Sequence, residues 1–266
     1  MVHRLQELKK QFVFSDSAKA LFANHVDYII KRTNRYNGLS YIDDPTLMSW
    51  QIGNEPRAFS EEGKEPFAAW LAEVAMQIKT LDPNHMVSVG SEGKHGCEQD
   101  IELFEKIHAD AHIDYMNIHL WPYNWGWVKE DSLLEMLPQT KINTKKYIDE
   151  HLVLARKYKK PVVMEEFGFP RDGFQFTKES STQARDEFYR YVFDLIRQER
   201  EQGGLFAGCN FWGWGGFANH TPGHTYWEAW DDYMGDPAQE QQGLNSVFAS
   251  DSTTIAIIKS ENEKLK

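Results

Sequence analysis

Two stretches of this chain end in groups that can do acid–base chemistry. Leu47-Met48-Ser49-Trp50-Gln51-Ile52-Gly53-Asn54-Glu55-Pro56 reads as a short buried strand that stops at an amide and a carboxyl, with Pro56 blocking its continuation. Pro161-Val162-Val163-Met164-Glu165-Glu166-Phe167-Gly168 is a second apolar run that also ends in carboxylates. Two carboxyls held about 5 Å apart can break a sugar acetal with retention, one protonating the leaving oxygen and the other attacking the sugar carbon. Glu55 is the candidate acid and Glu166 the candidate nucleophile. Glu165 competes with Glu166, but alternation along a strand sends the two to opposite faces, and Glu166 shares its face with Met164 and Val162. A lone strand-end Glu is more simply a surface acid or a salt-bridge partner. Two strands that finish alike, with a matching His and Trp, favour the chemical reading.

His119, ending Tyr115-Met116-Asn117-Ile118-His119-Leu120, can donate to a site carboxylate or a sugar hydroxyl, against the alternative of a satisfied structural histidine. Trp121 points the same way two residues on. Trp212, in Asn210-Phe211-Trp212-Gly213-Trp214-Gly215-Gly216, can form the floor on which a sugar ring stacks, and Trp214 is its rival in the same loop. His220, His224 and Glu228 have ligand-like spacing, but Pro222 and Gly223 break any helix that would align them, so no metal site is assigned. The acidic run Glu228, Asp231, Asp232 and Asp236 reads as a solvated loop face, with calcium a remote alternative.

These groups need a scaffold that brings strand ends together. Hydrophobic periodicity predicts helices over 15–33, from 66 to Asp82, over 97–107, 144–157, 182–200 and 253–264. The strands fall between them, at Glu55, Met86–Gly90, His119, Glu166 and Leu205–Trp212. Strands alternating with helices are the pattern of a parallel α/β fold. No glycine-rich dinucleotide fingerprint follows any strand. In a β/α barrel the functional groups lie at the C-terminal ends of strands, where Glu55, His119, Glu166 and Trp212 all fall. A closed barrel needs eight strands, and the sequence supplies about five.

The composition narrows the partners. A formal net charge of -11 argues against nucleic-acid binding, which relies on clustered Lys and Arg. Aromatic residues make up 14% of the chain, and several of the nine Trp cluster at 121–127 and 212–230, which tilts toward a carbohydrate ligand. Cys97 and Cys209, the two cysteines, make neither a disulfide scaffold nor a zinc site. No run is apolar enough for membrane insertion, and Met1 to Lys10 contain no secretory core.

Four phrases in order resemble the motifs of family 5 glycoside hydrolases, and within them the endo-β-1,4-mannanases. They are Trp50-Gln51-Ile52-Gly53-Asn54-Glu55-Pro56-Arg57, His119-Leu120-Trp121-Pro122, Glu165-Glu166-Phe167-Gly168 and Phe211-Trp212-Gly213-Trp214-Gly215-Gly216. Arg32-Thr33-Asn34-Arg35-Tyr36-Asn37-Gly38 is also mannanase-like, and the likeness runs from about Phe12 onward. The resemblance implies a single catalytic domain over 1–266 of (β/α)8 TIM-barrel type, incomplete, with strands 4 to 8 present and the N-terminal part of the barrel lacking. It implies retaining double displacement on β-mannan without a cofactor. Glu55 would be acid/base, Glu166 nucleophile, Asn54 the contact to the sugar 2-hydroxyl, His119 and Trp212 partners at the reacting sugar, and Arg57 a contact further along the groove. Trp121 departs from the pattern, since a Tyr often stands there. The parent enzyme is expected to be secreted or periplasmic. The rival expectations are a β-1,4-glucan hydrolase of the same family and a catalytically silent piece.

Overall fold

The computed structural model describes residues 9–265. Along the chain run α1 (Asp16–Ile30), β1 (Ser49–Gln51), α2 (Lys64–Leu81), β2 (Met86–Ser88), α3 (Ile101–His108), β3 (Met116–Leu120) and α4 (Leu133–Tyr158). They are followed by β4 (Val162–Phe167), α5 (Gln183–Glu201), β5 (Phe206–Phe211), β6 (Trp214–Gly216), β7 (Val247–Phe248) and α6 (Ser252–Lys264). The described strands pair as β1-β2, as β3-β4-β5 and as β6-β7. The chain divides into two compact units, one running to Ile118 and including Leu154–Val163, the other comprising His119–Val153 and Met164 onward.

In the first unit, Ser15 caps α1 by accepting from the Ala18 N–H at 3.3 Å. Phe22, Val26 and Ile30, four residues apart, form its inward stripe, and Phe22 meets Trp70 edge-on at 5.2 Å. Leu21 lies about a hundred degrees off the stripe and is exposed. Helix α2 buries Phe67, Trp70, Leu71, Val74 and Ile78, each contributing about 1.5–3 kcal/mol. The chain then turns at Asp82, whose buried carboxylate accepts from Trp50 Nε1 at 2.7 Å and from the Asn84 N–H at 2.9 Å. That bond ties β1 to the turn before β2, and the two strands pair in parallel, Ser49 with Met86 through Gln51 with Ser88.

In the second unit, α5 buries Phe188, Tyr189, Val192, Phe193 and Ile196 and packs against β5 and α6. Its first amides, on Gln183 and Ala184, donate to the Asp172 carboxylate at 2.9 Å each. Beneath them lies a fully buried charge group. Arg171 donates to both oxygens of Asp251 at 2.5 Å, and Arg185 reaches Asp251 at 3.4 Å. Arg185 also donates to the carbonyls of Phe169 (2.8 Å), Ser246 (2.8 Å) and Leu244 (3.2 Å). Helix α4 starts at Leu133, well before the expected Thr144, and runs through Pro138, which lies inside it. Strands β6 and β7 were not expected from the sequence, and they pair in parallel with Trp214 opposite Val247.

Candidate active site

In the first unit the site residues sit on one turn at the end of β1. The ladder with β2 continues past the strand as Ile52 N–H to Ser88 O (3.0 Å), Gly53 N–H to Val89 O (3.2 Å) and Glu55 N–H to Gly90 O (2.9 Å). Gly90 has φ +78°, and a Cβ there would fall 1.9 Å from the Gly53 carbonyl oxygen, so the two chains approach as only glycine allows. The side-chain oxygen of the buried Asn117 accepts from the Val89 and Gly90 amides at 3.0 and 2.9 Å, fixing the far side of the turn. Glu55 itself takes φ 48°, a left-handed conformation that costs a non-glycine residue about 1–3 kcal/mol and tends to mark functional positions. Its side chain is half-buried, while Asn54 is exposed.

Arg57, two residues on, forms an ion pair with Glu92 on the loop after β2, and Glu92 is buried. His95 on the same loop is held below its ordinary pKa by burial and then by the Arg57 charge, so near neutral pH it is an uncharged imidazole. Its Nδ1 lies 2.6 Å from Gln99 Nε2.

In the second unit, His119 and Glu166 are each the next-to-last residue of their strands, β3 and β4. His119 is buried, and its Nδ1 stands 3.3 Å from a Glu166 carboxylate oxygen, while the Glu166 side chain keeps 13% of its surface open. A carboxylate oriented by an imidazole and still partly exposed is suited to attack an electrophile. Strand β5 is drawn to the same place by the Trp212 N–H, which donates to Phe167 O at 2.8 Å. Gly168 completes the packing. A Cβ there would lie 2.7 Å from the Trp121 ring, 2.9 Å from the Trp212 carbonyl and 3.0 Å from Asn245 Cβ, so its absence lets both tryptophans close on the end of β4. The Trp212–Gly213 peptide is cis.

The second unit thus brings together His119, Trp121, Glu166 and Trp212. Trp214 is elsewhere, on β6 and more than half exposed. Not every tryptophan of the 121–127 cluster is available to a ligand. Trp125 and Trp127 pack on each other at 5.1 Å, and Trp125 packs on Tyr147 of α4 at 5.0 Å, so they fasten the loop to that helix. His224 binds the Asp231 carboxylate at 2.9 Å. Glu92, His95 and Asn117 were missed by sequence reasoning. Glu92 and His95 lie on a loop without periodicity. Asn117 carries a signal, a polar residue inside an apolar strand, which implies a buried hydrogen-bonding duty.

A family model described as GH family 5 beta-mannosidase-like matches residues 3–266. Mannan endo-1,4-beta-mannosidase 3 of Arabidopsis thaliana is 29% identical over 271 residues, covering 96% of this chain and 58% of that protein. The crystal structure of a glycoside hydrolase family 5 mannosidase from Rhizomucor miehei superposes with a TM-score of 0.83 at 32% identity, covering 96% of this chain and 61% of the other. An endo-beta-1,4-mannanase from Thermotoga petrophila gives a TM-score of 0.69 at 25% identity, covering 96% and 51%. The chain therefore spans little more than half the length of these relatives. Its fold is of the (β/α)8 TIM-barrel type, present in part, with three separately paired groups of described strands rather than one closed sheet. By sequence and by fold, the chain belongs to the glycoside hydrolase family 5 beta-mannosidase-like family.

Proposed function

We propose that this protein hydrolyses internal β-1,4-mannosidic linkages in mannan, glucomannan or galactomannan by retaining double displacement, its two units forming one catalytic domain. Glu166 attacks the anomeric carbon as Glu55 gives its proton to the bridging oxygen, and a glycosyl ester forms on Glu166. Glu55 then takes a proton from water, which attacks the ester and releases the sugar with its original configuration. His119 orients the Glu166 carboxylate for attack. Asn54 meets the 2-hydroxyl, Trp121 and Trp212 line the reacting position, and Arg57, steadied by Glu92, touches the chain further along with Trp214. Secretion of the parent enzyme fits a polysaccharide substrate. No described helix is long and apolar enough to cross a membrane.

The observation that carries this reading is the pairing of Glu166 with the buried His119 at the ends of adjacent strands, in a chain of this family. Hydrolysis of mannan followed by proton NMR tests it. The first-formed reducing end should be the β anomer, and release of the α anomer first would exclude double displacement. Reducing-sugar release from mannan, glucomannan and cellulose separates mannanase from glucanase, and faster release from cellulose than from mannan would overturn the substrate assignment.

A further inference from the structure

The loop between β6 and β7 carries an aromatic surface that the reaction above does not use. Trp230 is fully exposed and Phe217 is 86% exposed, with Tyr226, Trp227 and Tyr233 uncovered to lesser degrees. Large aromatic rings held in water need a reason, because burying them elsewhere would stabilise the fold. The loop is not loosely hung. The Asp232 carboxylate accepts from the Asn219 N–H at 2.8 Å, and that of Asp231 accepts from the Glu228 N–H at 2.9 Å and engages His224. Trp227 Nε1 donates to the Asp231 carbonyl at 3.2 Å, and the Gln242 N–H donates to Thr225 O at 2.9 Å. The rings are therefore presented by a fastened frame.

We propose that this surface, centred on Trp230, is an accessory stacking site for a neutral β-linked polysaccharide, engaging sugar units beyond the reacting one. The proposal rests on the glycosidase reading given above. Ring faces bind the C–H faces of pyranoses, and the interleaved Glu228, Asp231 and Asp232 can accept sugar hydroxyls. The same acids, with a net charge of -11, disfavour acidic glycans and nucleic acid. A surface for a protein partner would be depleted in charge at its centre, and this one is not. The segment also begins five residues after Trp212 along the chain.

The test is Trp230→Ala, alone and with Phe217→Ala, introduced into a Glu166→Ala protein that cannot consume the ligand. Retardation in gels containing soluble glucomannan should show a Kd raised about tenfold, the scale of one or two lost aromatic contacts. Polygalacturonate should retard none of the proteins. In the otherwise unmutated protein, Trp230→Ala should leave the rate on an aryl β-mannoside unchanged, because that substrate reaches only the reacting position. An inactive parent whose glucomannan retardation still depends on Trp230 would defeat the catalytic reading and leave this site standing. Unchanged glucomannan retardation in both variants would overturn it. Loss of self-association on sedimentation with glucomannan binding intact would also overturn it, assigning the surface to a second copy.

Discussion

Replacing Gly90 by alanine should disable the turn that presents Glu55. At φ +78° any side chain pays a conformational cost of about 1–2 kcal/mol. The Cβ would also fall 1.9 Å from the Gly53 carbonyl oxygen, a main-chain atom with no rotamer to change. For an ordinary contact of about 3 Å the two chains must part by roughly 1 Å. The bonds from Gly53 N–H to Val89 O and from Glu55 N–H to Gly90 O lie across that gap. Losing both adds about 0.5–1.5 kcal/mol each, giving a destabilisation of about 2–5 kcal/mol. A displacement of about 1 Å at a catalytic group can cost 10²-fold in rate, so kcat on mannan should fall beyond what the unfolded fraction explains. Urea denaturation and steady-state kinetics read the two effects. Gly38→Ala is the control, since it shares the conformation (φ +75°) with nothing within 4 Å of its Cβ and should show the backbone cost alone. If Gly90→Ala matches Gly38→Ala in both midpoint and kcat, the close approach does not position Glu55 and the reasoning fails.

Glu166→Ala should abolish turnover of mannan. Glu55→Ala should slow it by about 10²–10⁴-fold but cost far less on an aryl mannoside whose leaving group needs no proton; equal losses on both substrates would remove Glu55 from the acid role. Asp251→Ala strands two fully buried guanidinium groups and should destabilise by about 3–5 kcal/mol in denaturant titration, whereas a change under 1 kcal/mol would mean water reaches the group. The Thr221 hydroxyl and His224 hold Asp231 down to about 2, and Asp231, followed by Glu228 at 3.9 Å, holds His224 above its ordinary value. The Asp231 contribution is present above its unfolded pKa and lost as pH falls through its folded value. The His224 contribution is present below its unfolded pKa and lost as pH rises through the raised one. The loop should therefore be best fastened between about pH 4 and 6.5. Proteolysis within 217–233 should be faster at pH 8.5 than at pH 5.5, and Asp231→Asn should erase that difference.

What could be read in the sequence was whatever local periodicity and strand termination encode. The apolar runs ending at Glu55, His119, Glu166 and Trp212 needed no tertiary information to place, because Pro56, the turn residues and the alternating helices bound them. The pairing of β6 with β7 was hidden because each is two or three residues long and the partner lies far along the chain. Glu92 escaped notice for a different reason: a loop carboxylate looks solvated until the fold buries it beside Arg57.

The charge group around Asp251 bears on how this protein can be shortened or joined to others. Its one carboxylate serves an arginine that follows β4 and another on α5, yet it is supplied from the segment leading into the last helix. Trimming from that side is tolerable only while Asp251 survives. A cut a few residues earlier would withdraw the counter-ion from beneath a part of the molecule it never touches in sequence, and fusion partners belong after Lys264 rather than in place of α6.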